Sequence, residues 1–524
     1  MKHSFLLVVG ILLLFGGCGR GSDRGLSHAL SSITTEDMHT HMFFLASDSL
    51  KGRNTPSPEL DTAASYISKV FQRCGMRPLS GSYLQQVSLN VVSLGEQNGL
   101  KIIKGGVGTS YEIKTDFTPF DMTANRTVSA PLVFAGYGIT APEYHYDDYA
   151  GIDAKGKIVV VLRHEPREED TASVFMGKSA TDYSNVLRKV AIARDHGALA
   201  VFVITDPLNH TSLAPRGFPW PSLSRTIPKD ALPITLAAEE GSKIPVIHVG
   251  ESIVNVLFGS VEELKALQTR IDSAMAPHSF DIAGTNAWVQ TTTNVTMMPT
   301  NNVVGFLEGS DPVLKDQIVV VGAHYDHVGY KKQHADGEDY IYNGADDNAS
   351  GTCALMGVAA GLGALQERPK RSILLIAFAG EEKGLFGSEY YVRHPLFPLD
   401  STVAMLNMDM VGRNGEDSLF LIGVGSSPDL AQIAREEDAR VGFVLVDEVL
   451  SSGGSDHMSF QKRNIPSLFF HSGLHPQYHQ VSDSPDLINI SKLTNAARLV
   501  FLTAVRLAND NQRYRYIPKP ITLF

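Results

Sequence analysis

The chain has 524 residues, more than a single hydrophobic core usually supports, so two or more domains are expected. Its 43% hydrophobic and 19% charged residues are ordinary for a globular protein. A net charge of −11, with no Lys/Arg stripe interleaved with aromatics, argues against a nucleic-acid partner.

The first residues read as a targeting signal. Lys2 and His3 form a short polar start, and Phe5–Phe15 is an apolar run too short to span a bilayer. Gly16-Gly17-Cys18 follows and resembles a bacterial lipobox, which implies that the signal segment, residues 1–18 with its lipobox-like cleavage site, is cut ahead of Cys18 and that Cys18 becomes the lipidated mature N-terminus. Gly19, rather than Asp, follows the cysteine, and by that resemblance the anchor belongs to the outer membrane. The alternative is ordinary cleavage near Gly19–Gly21, giving a soluble periplasmic or secreted protein. On either reading the chain is exported; on the first, its membrane contact is through the N-terminal lipid alone. Besides Cys18 only Cys74 and Cys353 remain, too far apart in sequence for a disulfide scaffold. Cys353, in a small-residue helical pattern, reads as a buried apolar filler.

Residues 19–32 are polar, Gly/Ser-rich and unpatterned, as a tether would be. From Thr35 to about Gly75 the pattern is helical, with Leu60, Ala63, Ala64, Ile67, Val70 and Phe71 on one face. Phe44–Glu59 between reads as a loop with two prolines. Residues 33–122 are assigned to a first part of the main domain and 123–278 to an insertion. Within the insertion Leu132–Gly138, Lys157–Arg163, Ala198–Asp206 and Ile244–Gly250 read as strands and Val186–His196 as a helix. Ala214–Ala231 reads as loop. The phrase GYGI…DDYAGIDAKGKIVVV, with this order of elements, resembles the protease-associated domain. His164, Glu165 and Glu168 lack ligand spacing and read as solvated loop. With no ligand-spaced cluster in Ala130–Val249, the insertion is expected to shape access rather than chemistry.

Residues 279–524 alternate strands with helices. Strands are expected at Asn302–Glu308, Gln317–Gly322, Ser372–Ala379 and Val403–Asp409, and helices at Ser350–Leu365, Gly387–Val392 and Leu493–Ala508. The fold class is α/β: a three-layer, mainly parallel sheet with helices on both faces, plus the smaller inserted α/β domain.

Chemistry-bearing residues gather where these apolar strands end. His324 closes a strand, and Asp326, two residues on, is placed to take the other imidazole N–H. Asp346 and Asp347 lie in a turn entering a helix, where one carboxylate's two oxygens can bridge two cations. Glu381 and Glu382 follow a strand, so that one can hold metal while the other moves protons. Asp409 ends the next strand, and His479 sits in a polar loop. Strand ends in open α/β sheets are where ligands bind, and imidazole with carboxylate suits zinc.

GAHYDH, GADDNASG, AGEEKGLFGS, NMDM and YHQVSDSPD together resemble the co-catalytic di-zinc peptidase family, which includes bacterial leucyl-type aminopeptidases and glutamate carboxypeptidases. The resemblance implies two Zn2+ per chain and peptide substrates. It implies that Asp347 bridges both ions, His324 and Asp409 complete one site, and Glu382 and His479 the other. Glu381 would then be the general base, Tyr478 would polarise the scissile carbonyl, and Asp326 would support His324. A non-proline cis bond would follow Asp347. Ser455–His457 also matches a segment of that family, with a structural role expected. The activity implied is an aminopeptidase working by attack of metal-held hydroxide. Carboxypeptidase or dipeptidase action on the same site is the alternative, with Arg413, Lys462 and Arg463 as candidate receptors for a substrate carboxylate. A non-catalytic, receptor-like binding protein is the alternative from another class, although such relatives lose ligands and here every position is filled. Nothing in the sequence sets an oligomeric state.

Overall fold

The structure is a computed structural model and describes residues 19–177, 181–215, 223, 233–237, 241–448 and 454–518. The expected signal with Cys18, and most of the Pro/Ser-rich stretch Ala214–Ala231, lie outside the described residues. The described parts of Met1–Val87 and Pro299–Pro520 form one compact unit, and those of Ser88–Met298 form another. The insertion therefore begins before residue 123 and ends after 278. The reason is nonlocal pairing: strand Phe280–Thr291 lies between Gly99–Lys104 and Arg126–Phe134, antiparallel to both.

In the first unit seven strands follow the spatial order Thr293–Leu307, Ser372–Phe378, Ile318–His324, Thr402–Met408, Ser467–His471, Ser418–Ile422, Val444–Glu448. The four strands from Ser372–Phe378 to Ser467–His471 are mutually parallel, and the sheet is mixed because Thr293–Leu307 and Ser418–Ile422 pair antiparallel to their inner neighbours. Side chains alternate along each strand, so successive residues feed opposite faces. Val319, Val321 and Ala323 enter one apolar cluster, and Ile318 and Val320 enter another. The first cluster takes the inward residues of helices Thr35–Leu45, Pro58–Arg73, Gly351–Gly363 and Ile490–Asn509. The second takes Tyr391 and Val392 of helix Phe386–Arg393 and Phe460 of helix His457–Gln461. Strands buried on both faces need continuous apolar runs, which is what the sequence supplies there. Every parallel strand then meets water only at its ends.

One expected element differs. Residues 19–32 are not an unpatterned tether, because Gly19–Ser31 is helical. Leu26, Ala29, Leu30 and Ile33 recur at helical spacing and pack into the first core. No helix among the described residues is long and apolar enough to cross a membrane. Cys353 is buried and Cys74 half-buried, both as free thiols.

The second unit has its own eight-stranded sheet, ordered Val107–Tyr111, Gly99–Lys104, Phe280–Thr291, Arg126–Phe134, Ile158–Leu162, Ala200–Ile204, Val246–Val249, Phe117–Pro119. Arg126–Phe134, Ile158–Leu162, Ala200–Ile204 and Val246–Val249 are parallel. Helices Val186–Asp195, Glu251–Phe258 and Val261–Ala274 cover it, and it holds two apolar clusters separate from those of the first unit. The reading of His164, Glu165 and Glu168 as solvated loop fails here. Glu165 is 1% exposed and accepts hydrogen bonds from the Thr181 N–H (2.7 Å) and hydroxyl (2.6 Å). His164 and Glu168 meet Asp206 and His210 in a four-residue cluster.

Candidate metal centre

Five segments of the first unit bring their polar residues to the carboxyl edge of the parallel strands. His324 is the last residue of Ile318–His324, Asp409 follows Thr402–Met408, and Glu381 and Glu382 follow Ser372–Phe378. Asp347 lies in the tight turn Ala345–Ser350 that leads into helix Gly351–Gly363, and the Asp347–Asn348 peptide is cis, as the family resemblance implies. Gly351 at the start of that helix is required by close approach: a Cβ there would overlap the Met408 carbonyl and the Asn348 side chain. His479 comes from the loop before the last helix.

The Asp347 turn is held from behind by Asp483. The Asp483 carboxylate accepts the backbone N–H of Asp346 (3.0 Å) and of Asp347 (3.2 Å). Asp346 in turn accepts the Gly412 N–H at 2.7 Å. Asp346 therefore serves the scaffold, while Asp347 faces the site.

The two oxygens of Asp347 face different groups. Oδ1 lies 3.4 Å from His324 Nε2, which is also 3.3 Å from Asp409 Oδ2 and 3.9 Å from Glu381 Oε2. Oδ2 lies 2.9 Å from His479 Nε2, which is 3.1 Å from Glu382 Oε2. The ligand atoms of His324, Glu381 and Asp409 all fall within 4.8 Å of one another, and so do those of His327, Asp347, Glu382 and His479. All five expected ligand positions are thus brought together, with Glu381 beside them. Tyr478 stacks on His479 with ring centroids 4.0 Å apart.

These donors fit divalent metal better than they fit each other. His324 Nε2, Asp409 Oδ1 and His479 Nε2 are buried and have no hydrogen-bond partner, although carboxylate oxygens lie close by. Lone pairs that converge without pairing are what a shared cation satisfies, and leaving them unpaired is costly. The donor chemistry, imidazole nitrogen with carboxylate oxygen, is that of zinc.

The electrostatics follow from burial and crowding. Burial works against a charge on His324, but the Asp409 and Glu381 carboxylates hold its pKa well above the usual value. Burial and the neighbouring Asp409, Asp456 and Glu382 charges push Glu381 well up against the pull of His324. Glu382 behaves oppositely: burial would raise it, yet the hydrogen bond from His327 and the nearby His479 take it well below the usual range. Burial and the Glu382 charge bring Asp347 to about 6, and its Asp347 and Glu382 partners bring His479 to about 10. Adjacent carboxylates with opposite displacements have different work to do.

Asp326 is placed differently from expectation. Its carboxylate is 3.7 Å from His324 Nδ1, which instead meets the Asp326 backbone carbonyl at 3.3 Å. The carboxylate accepts the Glu381 N–H (3.1 Å) and the Thr55 hydroxyl (2.9 Å), so it fixes the turn that carries Glu381. Buried Asp456, in the segment Ser455–His457, lies among these charges and is raised by burial to about 7.

Sequence reading missed three contributors. His327 is fully buried and its Nδ1 is 2.7 Å from Glu382 Oε1 and 3.7 Å from Asp347 Oδ2. Its place three residues after His324 was the available signal. Gly344, at φ +58°, leaves room for that ring, which a Cβ would overlap. Thr55 and Arg53 come from the segment read as loop. Arg53 is fully buried and donates to the carbonyls of Tyr325 (2.9 Å), Asn343 (2.8 Å), Gly344 (2.9 Å) and Leu45. It thereby ties together the segments that carry His324 and Asp347.

A parallel sheet whose carboxyl edge gathers imidazoles and carboxylates around a shared aspartate defines a metal-dependent hydrolase. Residues 302–504 match the model of peptidase family M28. Aminopeptidase YwaD of Bacillus subtilis (strain 168) is 29% identical over 409 residues, covering 76% of this chain and 71% of the relative. A probable leucine aminopeptidase of Trichophyton verrucosum (strain HKI 0517) is 28% identical over 206 residues, covering 38% of this chain and 56% of that protein. The solved aminopeptidase from Aneurinibacillus sp. strain AM-1 shares the fold, with a TM-score of 0.50, 22% identity, and coverage of 94% of this chain and 97% of that one. The chain is a zinc-dependent peptidase.

Arg53→Met removes a buried cation and leaves up to four backbone carbonyls without a donor. Each unsatisfied buried group costs about 1–3 kcal/mol. The variant is expected to lose stability in chemical denaturation and to bind zinc more weakly by calorimetry. Parental zinc affinity in a destabilised variant would show that Arg53 supports the fold but not the centre.

Proposed function

We propose that the chain is an extracytoplasmic di-zinc aminopeptidase. The observation that carries the reading is the division of Asp347: one oxygen faces His324 and Asp409, the other faces His479 and Glu382. Asp347 would bridge two cations, His324 and Asp409 would complete one site, and Glu382 and His479 the other. When bound, the cations supply Lewis acidity to water and to the scissile carbonyl.

The chain's own groups handle protons and position. Glu381, whose backbone Asp326 fixes, takes the proton of the attacking water and returns it to the leaving amine. Tyr478, kept protonated by burial and the surrounding carboxylates, donates its hydroxyl hydrogen to the developing oxyanion. His327, hydrogen-bonded to Glu382, orients that ligand.

Aminopeptidase rather than carboxypeptidase action is supported by the fate of the candidate cations. Arg413 donates from Nη2 to Gln477 (2.8 Å), while its buried Nη1, without a hydrogen-bond partner, faces Asp483 at 3.9 Å. Lys462 and Arg463 precede strand Ser467–His471 and so lie toward the sheet edge opposite the metal centre. The names of the Bacillus and Trichophyton relatives agree with that choice. A receptor-like role is disfavoured by a buried carboxylate cluster that only cations would neutralise. We take the inserted unit to be a protease-associated domain and Cys18 to be a lipidated anchor at the outer membrane.

Two variants test the chemistry. Glu381→Gln keeps the shape of the side chain but cannot take the proton, so kcat is expected to fall about 10²–10⁴-fold on N-terminally free peptides with zinc content unchanged. Glu382→Gln is expected to weaken one cation and to recover partly in excess zinc. Zinc loss in Glu381→Gln with full zinc in Glu382→Gln would exchange the two roles. For the anchor, Cys18→Ser is expected to move the protein from the membrane to the soluble fraction on cell fractionation. Unchanged membrane association would refute lipidation at Cys18.

A further inference from the structure

The second unit carries another cluster of metal-capable donors. Strands Ile158–Leu162 and Ala200–Ile204 are parallel neighbours, paired residue for residue. His164 lies two residues beyond the end of the first and Asp206 two beyond the end of the second. Glu168 and His210 each lie four residues further along their loops. The juxtaposition falls at the carboxyl ends of adjacent parallel strands, where an open α/β sheet places ligands. Asp206 is fully buried, while the side chains of His164, Glu168 and His210 are 25%, 20% and 35% exposed.

From these residues we propose a zinc site formed by His164, Glu168, Asp206 and His210, separate from the peptidase centre. One donor atom from each residue falls within 4.8 Å of every other. Two atoms each about 2.1 Å from a tetrahedral ion lie about 3.4 Å apart. The cluster brackets that spacing: His210 Nε2 is 3.0 Å from Glu168 Oε2 and 3.6 Å from Asp206 Oδ2, and His164 Nδ1 is 3.7 Å from Glu168 Oε2. The two imidazoles stack, with centroids 4.3 Å apart and planes 27° from parallel, so both rings present an edge to the same space.

A purely hydrogen-bonded network leaves a remainder. Asp206 Oδ1 is satisfied by His164 Nδ1 at 2.5 Å and by the His164 N–H at 3.3 Å. Oδ2 of the same buried carboxylate has no hydrogen-bond partner and points toward His210. A buried, half-unpaired carboxylate between two imidazoles is a cation ligand in waiting. Two nitrogens and two oxygens favour zinc over calcium or magnesium, which prefer oxygen alone. Four protein donors fill a tetrahedral shell, so the ion would be structural, joining two loops that the strands only bring near each other.

The test is zinc stoichiometry of the chelator-stripped full-length protein by calorimetric titration, with elemental analysis after dialysis. His210→Ala and Glu168→Gln, both at partly exposed side chains, are each expected to bind one equivalent fewer than the parent. Both are also expected to lose a zinc-dependent rise in the melting temperature of the second unit, with hydrolysis of peptide by the zinc-loaded enzyme retained. Parental stoichiometry and affinity in Glu168→Gln would overturn the site, whether or not His210→Ala folds. The comparison is a difference from the parent, so it stands whatever number of ions the peptidase centre proves to hold.

Discussion

A single buried carboxylate, Asp347, organises the peptidase unit. Its oxygens are directed at two sets of donors 2.9–3.4 Å away, and among the described residues no other carboxylate lies within 4.0 Å of both imidazoles, His324 and His479. Burying such a cluster of like charges is unfavourable unless cations neutralise it. The surrounding structure is built to hold it regardless. Asp483 accepts the backbone N–H groups of the Asp347 turn, Arg53 clamps the carbonyls on either side, and Gly351 lets the following helix approach the Met408 carbonyl.

The distribution of charge explains why two adjacent glutamates part company. Glu382 has His327 and His479 against it and is held ionised. Glu381 faces buried carboxylates and only His324, which raises its affinity for a proton. The Asp326 carboxylate accepts the Glu381 N–H and the Thr55 hydroxyl, while its backbone carbonyl meets His324 Nδ1, so the turn that carries Glu381 is braced by Thr55. The support of the site is thus drawn from a segment far from it in sequence.

The parallel core was legible because strands buried on both faces must be continuously apolar. Three of the four such runs in the first unit ended in or just before the polar residues that the structure places at the site: His324, Asp409, and the pair Glu381 and Glu382. What stayed hidden depends on distant residues meeting. His164 and Asp206 are 42 positions apart and become neighbours only because their strands pair. The limits of the second unit were misjudged for the same reason, since Gly99–Lys104 gains its place from Phe280–Thr291. A lone arginine such as Arg53 carries no pattern, and its burial is visible only once the loops are folded around it. Residues 19–32 hid a helix because glycine and serine masked the spacing of Leu26, Ala29 and Leu30.

Zinc titration of Asp347→Asn beside the parent tests the bridging role most directly. The substitution keeps the size of the side chain but removes its charge and one of its two metal-binding oxygens. A bridging Asp347 predicts that two of the parent's zinc equivalents weaken together. Loss of one equivalent, with the other at parental affinity, would contradict a shared carboxylate and leave a single-ion centre in its place.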